Sequence, residues 1–162
     1  MRYVVRGPMK KERILIRAGL LYTGKDLVSD QTIIIEDDKI VDITPRSYAP
    51  DHIGIVTPAF IDPHSHIGME RQGEPHRESE VDDILNTFAP LHNPVNSVYF
   101  DDRAFEEAVD FGVLYSCVVP GSGNVHGGQA VVIKNYCKTR KDALISHYGY
   151  KMALGFNPRA GS

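Results

Sequence analysis

The segment PAFIDPHSHIG, residues 58–68, places two histidines one residue apart after a short apolar run. Because side chains alternate between the two faces of a strand, we expect His64 and His66 to point the same way, with Ser65 opposite. Two imidazoles on one face can each give one nitrogen to a cation. Pro63 has no N–H for a ladder, which is consistent with a strand end here. The pattern alone permits a metal site, but an isolated HxH pair is usually not one, and the two histidines could simply hold a loop by hydrogen bonding.

The composition is that of an ordinary globular protein and excludes some classes of partner. The chain has 162 residues, of which 42% are hydrophobic and 24% charged, and its net charge is −3. This small charge predicts neither nucleic acid nor an acidic membrane surface as a partner. The sequence has no apolar run of about 18 residues and no signal-peptide core, so we expect a cytoplasmic protein. Cys117 and Cys137 lack a CxxC spacing and are expected to be reduced and structural.

Both ends of the sequence have unusual features. Met9 begins a segment, MKKERILIRAG, that is typical of a natural start. Residues 1–8 are therefore expected to be an upstream extension or an added leader. Gly161-Ser162 is expected to be a cloning remnant.

The first third of the chain has the pattern of β structure. Residues 13–22 have the apolar bias of a strand. TIIIEDDKIVDI, residues 32–43, places two β-branched runs around a short polar turn, which predicts a hairpin. A proline-rich connection over residues 45–52 leads to the histidine segment. Residues 67–100 have little periodicity and predict a long loop with a short helix near 80–87.

The pattern of the second half alternates between helix and strand. DDRAFEEAVDFG predicts a helix that is capped by Asp101 or Asp102 and ends at Gly112. A strand VLYSCVVPG, a glycine-rich loop GSGNVHGG, a strand QAVVIK and a helix TRKDALISHYGYKMAL follow. This order predicts βα units and a largely parallel sheet. The loop is not a dinucleotide motif, because His126 stands where the third glycine is needed. Its glycines are expected to permit a tight turn with positive φ.

PAFIDPHSHIG resembles the first barrel strand of the amidohydrolase superfamily, whose members typically carry [PG]-x-[FL]-[IV]-D-x-H-x-H. The segment FEEAVDFGVLYSCVVPGSGNVHGGQAVVIK resembles the imidazolonepropionase-like group, in which a helix, a strand and a GxGNxxGG loop follow in the same order. The resemblance implies an α/β fold with a β-rich N-terminal part. A composite β-sandwich segment over residues 9–57 would precede an incomplete TIM-type (β/α) barrel over residues 58–162.

The resemblance also implies a function and a set of site residues. His64 and His66 would bind a divalent metal, zinc in the full-length enzyme. Metal-bound hydroxide would then hydrolyse a C–N bond in a cyclic amide, amide or related small molecule. Asp62 would hold the strand end by hydrogen bonding or orient a ligand histidine. His126 and Asn124, in the glycine-rich loop, are the substrate-side candidates, although His126 could equally be a turn residue.

The other ligands implied by the resemblance have no place in this sequence. The superfamily supplies a lysine or glutamate, further histidines and an aspartate general base from later barrel strands. A complete barrel takes about 250 residues, more than follow Pro58 here. We therefore expect the N-terminal fragment of a hydrolase, inactive alone and able to lack metal. The alternative is a non-catalytic folded module. Unpaired strand edges predict a homo-oligomer in either case.

Overall fold

The computed structural model describes residues 13–71, 73, 75–83 and 85–160. The chain divides into two compact units, one ending at Pro58 and the other beginning at Ala59. The predictions for residues 1–8, for the start at Met9 and for Gly161-Ser162 lie outside the described residues. Within the ranges described, no helix has the length and apolar character that a bilayer crossing requires.

The first unit is a four-stranded sheet with the strand order β3-β2-β1-β4. Its strands are β1 (Arg13–Tyr22), β2 (Leu27–Glu36), β3 (Lys39–Thr44) and β4 (His52–Val56). β2 pairs antiparallel with both β1 and β3, whereas β4 pairs parallel to β1. Ala18, Leu21 and Ile33 form the buried apolar cluster of this sheet. The β-rich N-terminal part of the fold prediction is therefore confirmed.

The predicted hairpin over residues 32–43 is also confirmed. Glu36 pairs with Lys39, which leaves Asp37 and Asp38 as the turn between β2 and β3. Asp37 has a φ of 57°. Aspartate tolerates this left-handed region better than most non-glycine residues, so the polar turn suits its backbone.

The second unit carries a second four-stranded sheet, with the order β5-β6-β7-β8. Its strands are β5 (Phe60–Ser65), β6 (Val113–Val118), β7 (His126–Lys134) and β8 (Leu144–Met152). The helices are α1 (Arg103–Asp110), α2 (Arg140–Ala143) and α3 (Phe156–Ala160), with 3-10 turns at His76–Glu78 and Pro94–Asn96. β5 and β6 are parallel, but β6, β7 and β8 run antiparallel in turn.

The predicted α/β organisation with a largely parallel sheet is wrong for this unit, and no TIM-type barrel is present in the described residues. A parallel pair needs a crossover of a dozen or more residues. Only residues 119–125 connect β6 to β7, so the chain returns antiparallel. The only helical crossover between adjacent parallel strands in the described residues is α1, between β5 and β6.

Two predicted helices are wrong as well. The segment from Thr139 to Leu154 is helical only over Arg140–Ala143, after which β8 begins. The residues of β8 pair with β7 along most of its length, and this pairing overrides the helix-forming start of the segment. The helix expected near residues 80–87 is not formed by the residues described there.

α1 confirms the predicted helix and its cap. The Asp102 carboxylate accepts a hydrogen bond from the backbone N–H of Ala104 at 3.1 Å, as an N-cap does. Gly112 follows the helix with a φ of 80°, the left-handed conformation that ends many helices. Phe105 is the buried residue of α1.

The two faces of the second sheet carry separate apolar clusters. Val118, Val131 and Ile133 lie on the helix face, where they pack with Phe105 of α1 and with Met69. The residues that alternate with these along the chain point to the opposite face of the sheet. They form a separate apolar cluster of Cys117, Val119, Ala130 and Val132. We call this second surface the histidine face, because His64 lies beside it.

Candidate metal centre

His64 and His66 lie together at the end of β5. His64 belongs to the strand and His66 follows its last residue, Ser65. Their ring centroids are 5.6 Å apart with the rings inclined at 82°. The two rings are therefore close neighbours, and this geometry allows both to belong to one site. Metal binding by the pair stays a prediction.

The ring of His66 is held in one orientation by the neighbouring strand. Its Nδ1 lies 2.7 Å from the carbonyl oxygen of Val119, which follows β6. Because a carbonyl oxygen can only accept, Nδ1 must carry the proton and donate. The neutral ring then has its free lone pair on Nε2. This arrangement, with one nitrogen donating to a backbone carbonyl, is typical of histidine ligands to metals.

Asp62 acts on the backbone of the site. Its Oδ1 accepts a hydrogen bond of 3.1 Å from the backbone N–H of His64. This contact agrees with the first of the two roles considered for Asp62, holding the strand end. It restrains the backbone at His64 within β5.

A cavity of about 270 Å³ lies on the histidine face beside His64. Cys117 and Val119 of the sheet and residues 148–152 of β8 also line it. Burial raises the pKa of the Cys117 thiol, and the Asp62 carboxylate raises it further by charge repulsion. The thiol is therefore protonated at neutral pH, which does not suit a metal ligand or a nucleophile.

His126 lies at the same end of the sheet as the histidine pair. β7 begins there and runs antiparallel to β6, whose last residues lie beside the end of β5. The His126 ring packs edge-on against Tyr150, and Tyr150 in turn lines the cavity beside His64. Its Nδ1 is buried without a hydrogen-bond partner among the described residues.

Asn124, the second substrate-side candidate, is buried and already bonded. Its Nδ2 donates to the carbonyl oxygens of Asp83 and Asn86, both at 2.6 Å. Its Oδ1 accepts from the backbone N–H of Asp83 at 3.1 Å. The side chain therefore joins the glycine-rich loop to Asp83 and Asn86, and a role at the substrate stays a prediction.

The glycines of the loop are needed mainly for close approach, which the sequence reasoning missed. A Cβ on Gly123 would lie 2.8 Å from Cγ of Asp82, whose carboxylate accepts from the Gly123 N–H at 2.6 Å. Gly128 does have a positive φ, of 122°, and a Cβ there would lie 2.5 Å from the carbonyl oxygen of His92. The loop thus packs closely against the long segment that precedes α1. Asp82 and Gly123 are 41 positions apart in the sequence, so no local sequence pattern could predict their hydrogen bond.

The described residues offer no third metal ligand beside the pair. Within residues 13–71, 73, 75–83 and 85–160, no three side chains of His, Cys, Asp or Glu are grouped so that they could hold a metal ion. A catalytic zinc usually has three protein ligands and one open position. Among the described residues, the pair therefore offers two candidate ligands, fewer than such a site needs.

Comparison with known proteins finds relatives that carry hydrolase names. The amidohydrolase from Thermotoga maritima MSB8 superposes with a TM-score of 0.77 at 27% identity, over 91% of this chain and 40% of that chain. The chain is thus similar in sequence and in fold to this amidohydrolase.

The sequence is also similar to the imidazolonepropionase of Picrophilus torridus, with 28% identity over 145 residues. This alignment covers 75% of the chain and 37% of the relative. The chain thus spans well under half the length of both relatives. No family model matches it.

Proposed function

We propose that this chain supplies the first metal ligands of a hydrolase that cleaves a C–N bond in a small cyclic amide, amide or related molecule. The observation that carries the proposal is the hydrogen bond from His66 Nδ1 to the Val119 carbonyl, beside the ring of His64. That bond leaves the Nε2 lone pair of His66 free. The similarity to an imidazolonepropionase and to an amidohydrolase supports the substrate class.

The separation of the two rings suits one shared cation. Two imidazoles that each bind a zinc ion at about 2.0–2.1 Å have ring centres roughly 5–6 Å apart. The observed 5.6 Å lies in this range. A bound divalent metal, most suitably zinc, would polarise the substrate carbonyl and make a water molecule acidic enough to be deprotonated near neutral pH.

The chain's own residues would position this chemistry and limit access of water. Val119 holds the His66 ring through its carbonyl, and Asp62 holds the backbone of His64. The apolar histidine face would form one wall of the site. His126, with its unpartnered and buried Nδ1, would donate to or accept from the substrate at the same end of the sheet.

The remaining ligands and the general base would come from polypeptide beyond the described residues. Since His64 and His66 are the two ligands that the described residues would offer, the chain alone would bind metal weakly and would not turn over substrate. The aspartate expected in the superfamily would accept the proton of the attacking water.

Metal titration of the purified chain tests the proposal. Calorimetry with zinc should show one binding event that is lost in His64→Asn and in His66→Asn. His52→Asn is the matched control, because His52 is an exposed histidine of the first unit. Equal zinc binding by all four proteins would contradict the proposed ligands. Hydrolysis of a lactam by the chain alone, abolished by His64→Asn, would instead show that the chain is active by itself.

A second candidate function is that of a self-associating module without metal. Both edges of the second sheet are free within the described residues, and Tyr148 and Tyr150 of the edge strand β8 are 77% and 64% exposed. Free edges with apolar side chains promote strand pairing between chains. Sedimentation equilibrium decides between the two functions, when it is combined with the zinc titration. A dimer that binds no zinc would favour the module.

A further inference from the structure

The cavity of about 270 Å³ beside His64 has a lysine in its lining, Lys151 of β8. Among the described residues that line the cavity, none is an aspartate, a glutamate or an arginine. The lysine ammonium is therefore the one permanent charge that these residues bring to it. The proposed hydrolase chemistry gives Lys151 no role.

The register of the sheet places Lys151 on the histidine face. Ala130, which belongs to the apolar cluster of that face, pairs with Gly149. Two positions away, Gly128 pairs with Lys151 without an irregularity in between. Since paired residues share a face and residues two apart in a strand point the same way, Lys151 lies on the face that carries Ala130.

Lys151 also lies at the same end of the sheet as the histidine pair. β5 and β6 run parallel, and β7 and β8 each reverse direction, so β8 ends where β5 ends. The stem of the lysine lies over the glycine-rich loop, because a Cβ on Gly127 would be 3.6 Å from Lys151 Cγ. Its place is thus set by both the strand and the loop.

The charge of Lys151 is unpaired, and the space beside it is open. The residue is half-buried and forms no ion pair within the described part of the chain. A Cβ on Gly149 would meet nothing within 4 Å, which leaves room for a ligand between the strands. A partly desolvated ammonium without a counter-ion favours an anion as its partner.

We propose that Lys151 binds a carboxylate of the substrate, so that the enzyme selects small cyclic amides that carry an acid group. This inference rests on the proposed function, since it takes the cavity beside His64 to hold the substrate. The ammonium offers three donors and a positive charge to the carboxylate oxygens. The rest of the substrate would lie over Ala130 and Gly149.

Titration of the metal-free chain with 5-oxoproline, a lactam that carries a carboxylate, tests the site. Its amide, 5-oxoprolinamide, is the neutral control of nearly the same shape. We expect 5-oxoproline to shift the backbone amide signals of residues 149–152 and to bind about fivefold more tightly than the control, as a partly exposed ion pair would allow. Equal binding of the two compounds, or shifts confined to residues away from the cavity, would overturn the proposal.

Variants of the lysine locate the binding group. Lys151→Met removes the charge, keeps an unbranched stem, and should weaken 5-oxoproline binding about fivefold while changing 5-oxoprolinamide binding less than about twofold. Lys151→Arg keeps the charge and should retain the preference for the acid. Lys134→Met is the matched control, because Lys134 is the last residue of β7 and does not line the cavity. Equal effects of Lys151→Met and Lys134→Met would refute the site.

The result is separate from that of the zinc titration, because no metal is present. A preference for the acid without zinc binding would contradict the proposed metal ligands and support the role of Lys151. Zinc binding without that preference would contradict the role of Lys151 alone. The comparison of the two compounds on the unchanged chain needs no variant, so it decides the question even where a variant does not fold.

Discussion

The Nδ1 atom of His66 donates to the carbonyl oxygen of Val119 across 2.7 Å. This bond ties the end of β5 to the residue after β6. The side chain that would bind metal is therefore oriented by the backbone of the adjacent strand, and no side-chain substitution at Val119 removes the acceptor.

The tautomer of His66 is the first prediction. In the metal-free chain at a pH where the ring is neutral, we expect the proton on Nδ1 and the lone pair on Nε2. Long-range proton–nitrogen correlation spectra distinguish the two tautomers of each ring. A spectrum that shows His66 protonated on Nε2 would contradict the hydrogen bond and weaken the proposed metal site.

Gly128 is predicted to be intolerant of a side chain. Its φ of 122° is strained for alanine, and a Cβ would lie 2.5 Å from the His92 carbonyl oxygen. We expect Gly128→Ala to lower the free energy of unfolding by at least about 2 kcal/mol. Urea denaturation measures this loss.

Gly149 provides the matched control for Gly128. It lies in β8, next to β7, and a Cβ there would meet nothing within 4 Å. Gly149→Ala should therefore change the free energy of unfolding by less than about 1 kcal/mol. If both variants lost similar amounts of stability, the close approach of Gly128 to the His92 carbonyl would not explain the effect of Gly128→Ala.

The cap of α1 gives a third prediction. Asp102→Ala removes the acceptor for the Ala104 N–H and should cost about 1 kcal/mol of stability. Asp102→Asn keeps an acceptor and should cost less. The two variants can be compared by thermal denaturation, and an asparagine variant as unstable as the alanine variant would argue against capping.

The buried thiol of Cys117 predicts a pH dependence of stability. Burial, with a smaller effect of Asp62, raises the thiol pKa in the folded state. Between the unfolded and folded pKa values the folded chain holds more protons, so the free energy of unfolding falls as pH rises. This decline should begin near the ordinary thiol pKa of about 8.5.

Cys117→Ala isolates the contribution of the thiol. Between about pH 8 and pH 10 its free energy of unfolding should fall less steeply than that of the unchanged chain. Denaturant titrations at a series of pH values measure the two slopes. Equal slopes would mean that the thiol titrates alike in the folded and unfolded chains.

Features with local signals could be predicted from the sequence. The turn at Asp37-Asp38 and the cap at Asp102 depend on residues only a few positions apart. The HxH segment indicated where the candidate site begins, because strand alternation brings residues two apart together.

Features set by distant residues could not be predicted. β8 starts with the capped turn at Thr139, which resembles a helix start, and only its pairing with β7 makes the remainder a strand. Asp82 and Gly123 meet across 41 positions, so the reason for the loop glycines was invisible before the fold was known.

The parallel pairing of β5 with β6 has a consequence for the order of folding. The contact between His66 and Val119 spans 53 positions, whereas β6, β7 and β8 follow one another as an antiparallel meander. Closing a longer loop has a larger entropic cost, and non-local pairs tend to form slowly. We expect the meander to form first and the histidine strand to dock last, so the proposed metal ligands would be assembled in the final step of folding.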